Sequence, residues 1–125
     1  DSINAEQKCF TGGSKTASGK NRIVPIHPSI KSLLAAAFKD FGDRLYSGTY
    51  SNYLNQFHKT IKKYGLNSAH RPHDARKTFV TLAKKNNVDE YAIKRIVGHK
   101  IKDLTERVYT ERDYAWLKAE IEKIK

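Results

Sequence analysis

The stretch PHDARKTFVTLAKKNNVDEYAIKRIVGH, residues 72–99, predicts two consecutive helices joined by a turn at the paired asparagines. The first helix, about residues 73–86, begins beside a proline, and its apolar residues recur at helical spacing and are expected to be buried. They are Ala75, Phe79, Leu82 and Ala83. Asp89 is a typical N-cap for the second helix, 90–97, and Gly98 is a typical residue to end it.

Upstream of these helices the chain has the pattern of a β-hairpin, over about residues 5–26. Residues 22–26, RIVPI, are rich in β-branched side chains and are expected to pair with residues 5–11. The stretch between them is rich in Gly, Ser and Asn, which favour a hairpin connection. Its lysines predict a basic hairpin tip.

Further helices are predicted on both sides of the central pair. They cover about residues 29–42, 51–64, 104–109 and 114–124. Ser29 is the predicted N-cap of the first of them, and Gly65 is the predicted end of the second. The expected fold class is α+β and mainly α-helical, with an N-terminal β-hairpin followed by a helical bundle in about 29–125.

The composition indicates a basic domain with a polyanionic partner. Over 125 residues, 24 Lys and Arg stand against 13 Asp and Glu, a formal net charge of +11. Such a surplus favours nucleic acid or an anionic membrane surface. No apolar run is long enough for a transmembrane helix, and the single cysteine, Cys9, excludes an internal disulfide and favours a reducing cytosol. The five histidines show no helix-paired spacing of metal ligands, so no metal site is expected.

Several residues have the chemistry to act on a phosphate. His73 and Arg76 are three apart on the predicted helix and therefore share a face near its N-terminus, where free N–H groups favour an anion. His99 follows the glycine that ends the next helix, and Tyr109 lies ten residues later. Taken singly, His99 is typical of a capping or surface histidine and Tyr109 of a half-buried packing residue.

Taken in order, these motifs resemble the C-terminal signature of the tyrosine recombinases, the phage-integrase family of site-specific DNA recombinases. In that family a His-x-x-Arg begins a helix, a Gly-His pair follows, and the nucleophilic tyrosine comes shortly after. The hairpin GSKTASGKNRIVPI is similar to the family's hairpin, whose lysine precedes a threonine. The matching residues are Lys15, His73, Arg76, His99 and Tyr109. Ala75 and Lys77 replace the family's common Leu and second His, and the resemblance assigns neither position a catalytic role.

The resemblance implies the tyrosine-recombinase catalytic fold, of the DNA breaking-rejoining type, and cleavage and rejoining of double-stranded DNA through a 3′-phosphotyrosyl intermediate. Tyr109 would attack the phosphodiester, and Arg76 would stabilise the charge that grows on its oxygens. His73 and His99 would donate to those oxygens or accept the tyrosine proton, and Lys15 would protonate the leaving 5′-oxygen. The phosphotyrosyl link retains the phosphodiester energy, so no metal or nucleotide cofactor is implied.

The implied setting is a recombinase tetramer assembled on DNA, in the bacterial cytoplasm at the nucleoid, serving integration of a mobile element (phage or transposon) or chromosome-dimer resolution. The C-terminal helix, 114–124, is expected either to pack on its own domain or to dock on a neighbouring protomer. Its apolar residues are Tyr114, Leu117, Ile121 and Ile124.

One part of the family pattern is missing from the chain. The family uses a further arginine, upstream of the hairpin, in a Thr-Gly-x-Arg-x-x-Glu-like segment, and no Arg and Glu follow Thr11-Gly12 at that spacing. We therefore expect residues 1–125 to be the C-terminal portion of an integrase catalytic domain. The first arginine and an N-terminal DNA-binding domain would lie outside it, and the portion alone would bind DNA weakly and recombine nothing.

Alternatives stay open at the level of residues and of function. Tyr91 and Tyr114 are rival nucleophiles, although only Tyr109 fits the distance from the Gly-His pair, and Lys20 and Arg22 are rivals for the hairpin cation. Residues 74–97 also fit a helix–turn–helix with Lys94 and Arg95 exposed, which predicts a non-catalytic DNA-binding module. An RNA-binding protein suits the size and charge, but the chain has no aromatic-rich RNA motif.

Overall fold

The computed structural model of the chain describes residues 2–4, 9–12, 17, 19–20, 22–41, 47–101 and 114–125. Within these residues the backbone forms a small antiparallel sheet, one 3₁₀ helix and five α-helices. The protein is therefore mainly helical, as the spacing of its apolar residues predicts. Lys15, Tyr109 and the predicted helix 104–109 lie outside the described residues.

The sheet contains the predicted hairpin and one additional strand. Its strands are β1 (Ser2–Asn4), β2 (Cys9–Gly12) and β3 (Arg22–Pro25), in the order β1-β2-β3 and antiparallel throughout. In the hairpin, Cys9 lies opposite Pro25 and Gly12 lies opposite Arg22. The sequence did not predict β1, because three residues are too few to show an alternating pattern.

The helices follow the sheet along the chain, and a 3₁₀ helix (Pro28–Ile30) leads into the first of them. They are α1 (Lys31–Phe41), α2 (Tyr50–Lys63), α3 (Asp74–Lys85), α4 (Glu90–Val97) and α5 (Tyr114–Ile121). The bounds of α4 coincide with its predicted range. In the described part of the chain, no helix has the length and apolar character needed to cross a lipid bilayer.

Asp89 and Gly98 cap the two ends of α4, and both predictions are confirmed. At the start, Oδ1 of Asp89 accepts hydrogen bonds from the N–H groups of Tyr91 at 2.8 Å and Ala92 at 3.2 Å. At the end, Gly98 has the left-handed φ of 71° that a side chain would disfavour. Gly65, with a φ of 63°, ends α2 in the same way.

The start of the helical part differs from the prediction that Ser29 is an N-cap. Ser29 lies inside the 3₁₀ helix, and Nδ1 of His27 accepts a hydrogen bond from its N–H at 3.2 Å. The other ring nitrogen of His27, Nε2, donates to the carbonyl of Ile124 at 2.9 Å. The histidine cap therefore also joins the start of the helices to the residues that follow α5.

The core lies between α3, α4, α5 and β3, with α4 at its centre. Five of the eight residues of α4 are buried. The main cluster comprises Ala83, Val88, Ala92, Ile93, Ile96, Leu117 and Ile121. Ala75 and Leu82 were predicted to be buried and are exposed. Helical spacing predicts an apolar stripe on α3. Only one side of that stripe is covered: Ala83 belongs to the cluster, and Phe79 and Val80 pack against it.

The last helix, α5, packs on its own domain. Leu117 is 1% exposed and joins Ile121 in the core. Between them in the chain, the buried Glu120 accepts a hydrogen bond from the N–H of Asp89 at 2.8 Å and pairs with Nζ of Lys123 at 2.7 Å. One carboxylate thus joins α5 to the residue that caps α4.

The two glycines with left-handed φ provide a matched test of packing at the end of α4. A Cβ built on Gly98 would lie 3.1 Å from the Cα of Gly19, whereas one built on Gly65 would meet nothing within 4 Å. Gly65→Ala is expected to cost about 1–2 kcal/mol for the left-handed backbone alone. Gly98→Ala is expected to cost a further ~1–3 kcal/mol, because a backbone atom must move. Urea unfolding of both variants measures the difference, and equal losses would contradict the close approach.

Glu120 and Glu122 provide a second pair, since both carboxylates lie near a lysine but only Glu120 is buried. Glu120→Ala leaves the half-buried N–H of Asp89 without its acceptor and is expected to cost about 1–3 kcal/mol. Glu122→Ala removes an exposed pair with Lys118 at 3.8 Å and is expected to cost less than about 0.5 kcal/mol. Thermal unfolding compares the two, and a neutral Glu120→Ala would show that α5 is not held through this carboxylate.

Candidate active site

α3 carries His73 and Arg76 at its N-terminal end, on one face. His73 is the residue before the helix, is exposed, and makes no side-chain hydrogen bond to cap it. The N–H of Arg76, one turn further along the chain, donates to the carbonyl of His73 at 3.1 Å. Residues three apart in a helix are neighbours on its surface, so the imidazole and the guanidinium share the positive end of the helix dipole.

Arg76 also connects α3 to the C-terminal end of α4. Its Nη1 donates a hydrogen bond to the carbonyl of Val97, the last residue of α4. The last carbonyls of a helix have no intrahelical donor, and a guanidinium there also complements the negative end of the helix dipole. This bond joins the His-x-x-Arg motif to the residue immediately before Gly98 and His99.

The chain between α4 and His99 adopts a Schellman motif. The N–H of Gly98 donates to the carbonyl of Arg95 at 3.2 Å, and the N–H of His99 donates to the carbonyl of Lys94 at 2.9 Å. This pair of bonds, with a left-handed glycine between helix and exit, defines the motif. The backbone of His99 is therefore fixed by α4, while its side chain is exposed.

The hairpin reaches the same turn from the other side. Gly19 is buried and lies close to Gly98, and the side chain of Arg22 also lies beside Gly98. A Cβ on Gly98 would be 3.2 Å from Nη1 and 3.4 Å from Cδ of Arg22. The absence of a side chain at Gly98 is what allows the end of the hairpin loop, at Gly19 and Arg22, to approach the end of α4.

Of the five residues predicted for the site, the structure describes His73, Arg76 and His99. Arg76 contacts the turn that leads into His99, so two motifs separated by more than twenty residues meet at one place. The sequence did not predict the contact of Arg22 with Gly98. It indicates Arg22 only as a rival of Lys15 for the role of the hairpin cation. A glycine at position 98 indicates that another segment can approach the backbone closely, but it does not indicate which segment.

Asp74 is a second residue that sequence reasoning did not single out. Its Oδ2 accepts a hydrogen bond from the N–H of Arg71 at 2.9 Å and lies 3.7 Å from Nδ1 of His70, and its Oδ1 lies 3.3 Å from Nζ of Lys77. The hydrogen bond from Arg71, followed by that from Lys77, holds the pKa of Asp74 below its usual value of 3.8. The carboxylate orders the loop before α3, and Lys77 partly offsets its charge beside His73 and Arg76.

The lowered pKa of Asp74 predicts how stability depends on pH. A carboxyl whose pKa is lower in the folded state stabilises the fold above its unfolded pKa, and that stabilisation is lost as pH falls through the folded pKa. Asp74→Asn is therefore expected to lose stability relative to wild type near neutral pH, by an amount that shrinks in acid. Urea unfolding from about pH 6 to about pH 2 covers this range. The same substitution made with Lys77→Met should have a smaller effect, and a pH-independent difference would contradict the role of the carboxylate.

Comparison with known proteins assigns the chain to a family. The family model described as "Phage integrase family" matches residues 2–115, which include the hairpin, α3, α4 and the Gly98–His99 turn. Searches among curated proteins and among solved structures found no match to the chain. The match covers most of the chain, and the protein therefore belongs to the phage integrase family.

Proposed function

We propose that this chain forms part of the active site of a site-specific tyrosine recombinase that cleaves and rejoins double-stranded DNA through a 3′-phosphotyrosyl intermediate. The observation that carries the proposal is the hydrogen bond from Arg76 to Val97. It brings the guanidinium of the His-x-x-Arg motif to the turn that holds His99. The resemblance assigns both residues to one phosphate, and this contact supports that assignment.

The N-terminal end of α3 supports binding of a phosphate. The exposed imidazole of His73 and the guanidinium of Arg76 lie on one face there, at the positive end of the helix dipole. A guanidinium has five N–H donors in a planar fork, and the bond to Val97 uses one nitrogen of that fork. The proposed role of Arg76 is to donate from the rest of the fork to the nonbridging oxygens.

In the proposed reaction, the oxygen of Tyr109 attacks phosphorus, a P–O bond to the tyrosine forms, and the bond to the 5′-oxygen breaks. The tyrosine proton passes to His73 or His99, and Lys15 gives a proton to the leaving 5′-oxygen. Charge that grows on the nonbridging oxygens is stabilised by Arg76. Attack by a 5′-hydroxyl on the phosphotyrosyl bond reverses these steps and rejoins the strand. The number of phosphodiester-type bonds is conserved, so no cofactor enters the balance.

The proposal includes components that the chain does not contain. The family motif with the further arginine is missing, and we propose that this residue comes from sequence upstream of these 125 residues, together with a DNA-binding domain. The chain alone would then bind DNA weakly without cleaving it. Self-association into a tetramer on DNA belongs to the same proposal. Since α5 packs Leu117 and Ile121 into its own core, docking through that face would require α5 to leave this core.

The burial of α4 weighs against the alternative of a helix–turn–helix module. A recognition helix presents one face to the DNA groove, whereas α4 buries five of its eight residues. The two cations predicted to be exposed on it are half-buried. Lys94 pairs with Glu90 at 3.4 Å, and the guanidinium of Arg95 lies 5.9 Å from the centre of the Tyr91 ring. The exposed lysines of α3, Lys77, Lys84 and Lys85, are better placed to attract phosphate.

A trapping experiment tests the nucleophile. The native protein that contains these residues is mixed with a pool of nicked duplexes of random sequence, in which a cleaved end diffuses away, and covalent protein–DNA adducts are isolated under denaturing conditions. We expect adduct with wild type, none above background with Tyr109→Phe, and adduct with the matched control Tyr114→Phe, because only Tyr109 is the proposed nucleophile. Adduct that persists in Tyr109→Phe would falsify the assignment. Binding by wild type without any adduct would instead support a non-catalytic module.

A further inference from the structure

Arg22 is the first residue of β3, where the connecting loop of the hairpin ends, and its side chain lies against the end of α4. We call this junction of loop and strand the hairpin base. Its N–H donates to the carbonyl of Gly19 at 3.4 Å, which closes the turn before β3. Its side chain continues to Gly98, where Cδ and Nη1 occupy the space that a Cβ would need. The residue thus contacts the hairpin through its backbone and the Gly98–His99 turn through its side chain.

The guanidinium of Arg22 is held in an unusual environment for a basic chain. Arg22 is half-buried, its Nε is shielded from solvent, and no acceptor in the described part of the chain bonds to that Nε. A buried donor without an acceptor is unfavourable, and native proteins contain few of them. The shielding also prevents Nε from reaching a DNA phosphate while the hairpin base stays in place. Packing, and not charge alone, must therefore account for the position of this side chain.

Arg22 and Arg76 hold successive residues of one turn from different elements. Arg76, on α3, donates to the carbonyl of Val97, and Arg22, on β3, packs on Gly98. The next residue is His99, whose backbone is fixed by its bond to the carbonyl of Lys94. The position of His99 relative to the hairpin therefore depends on the contact between Arg22 and Gly98.

We propose that Arg22 is a positioning residue that fixes the hairpin base against the Gly98–His99 turn. The inference rests on the proposed function, in which Lys15 of the hairpin and His99 act on one phosphate. Lys15 precedes Arg22 by seven residues, so a hairpin base that moves on Gly98 would displace the two proposed proton-transfer groups relative to each other. Such a displacement slows the chemical step more than it weakens DNA binding, since the DNA contacts themselves stay in place.

Substitutions at Arg22 separate packing from charge. Arg22→Ala removes both, and Arg22→Met keeps a long side chain beside Gly98 without its charge. Lys39→Ala, on the exposed end of α1, is the control for loss of one positive charge elsewhere. The measurements are the rate of adduct formation at saturating nicked duplex, the dissociation constant for duplex DNA at several salt concentrations, and amide hydrogen exchange at His99 in the free protein.

For Arg22→Ala we expect an adduct rate about 10-fold to 100-fold lower, a salt dependence of DNA binding equal to that of wild type, and faster exchange at His99. Arg22→Met is expected to keep a rate within about threefold of wild type, and Lys39→Ala to keep it unchanged. A salt slope lower by about one in Arg22→Ala would show a direct phosphate contact and overturn the positioning role. An unchanged rate would overturn it as well.

The exchange measurement distinguishes a failure of this inference from a failure of the proposed function. If wild type forms no adduct with DNA, the proposed function fails, and the hydrogen exchange still decides whether Arg22 holds the turn. Unchanged exchange at His99 in Arg22→Ala overturns the positioning contact whatever the protein does to DNA. Thermal unfolding of each variant checks that a lower rate comes from a folded protein.

Discussion

The hydrogen bond from Arg76 to the carbonyl of Val97 joins the two parts of the chain that carry the family's motifs. It satisfies a carbonyl that the end of α4 leaves without a donor, and it does so with a charged group, which makes a stronger bond than a neutral one. α3 and α4 are connected at this point by a side chain whose proposed role is to bind phosphate. The stability of the helix end and the geometry of the site therefore depend on the same guanidinium.

Side-chain burial distinguishes α4, which contributes mainly to the core, from the helices whose side chains face solvent. α4 supplies most of its residues to the core, and its two cations pair with neighbours on the same helix. The exposed positive charge lies elsewhere, on α2 and on α3, where lysines predominate. A net charge of +11 therefore does not describe one uniform surface. Attraction of DNA at long range can come from these lysines, while contact with the reacting phosphate is proposed for residues at the ends of α3 and α4.

Local chemistry made some elements predictable, and non-local contacts made others unpredictable. The bounds of α4 follow from Asp89 and Gly98, which carry capping information within a few residues of the helix. The exposure of Ala75 and Leu82 does not follow from spacing, because spacing defines a stripe without naming the element that covers it. The contact between Arg22 and Gly98 joins residues 76 positions apart, and no local pattern reports such a pair. For the site, His73, Arg76 and His99 were selected by resemblance, and the roles of Lys15 and Tyr109 remain predictions.

The composition of the core has a consequence for how the protein is made. Its main cluster combines residues of α3 and α4 with two residues of α5. Much of the apolar surface of α3 and α4 is therefore covered only by side chains in the last part of these 125 residues. During synthesis from the N-terminus, the hairpin and the first helices leave the ribosome before any residue of α5 exists. Since domains generally fold as units, this core closes late, after translation has passed residue 121. Until then β3 and α3 expose the apolar side chains that they later bury, and exposed apolar surface of this kind favours aggregation.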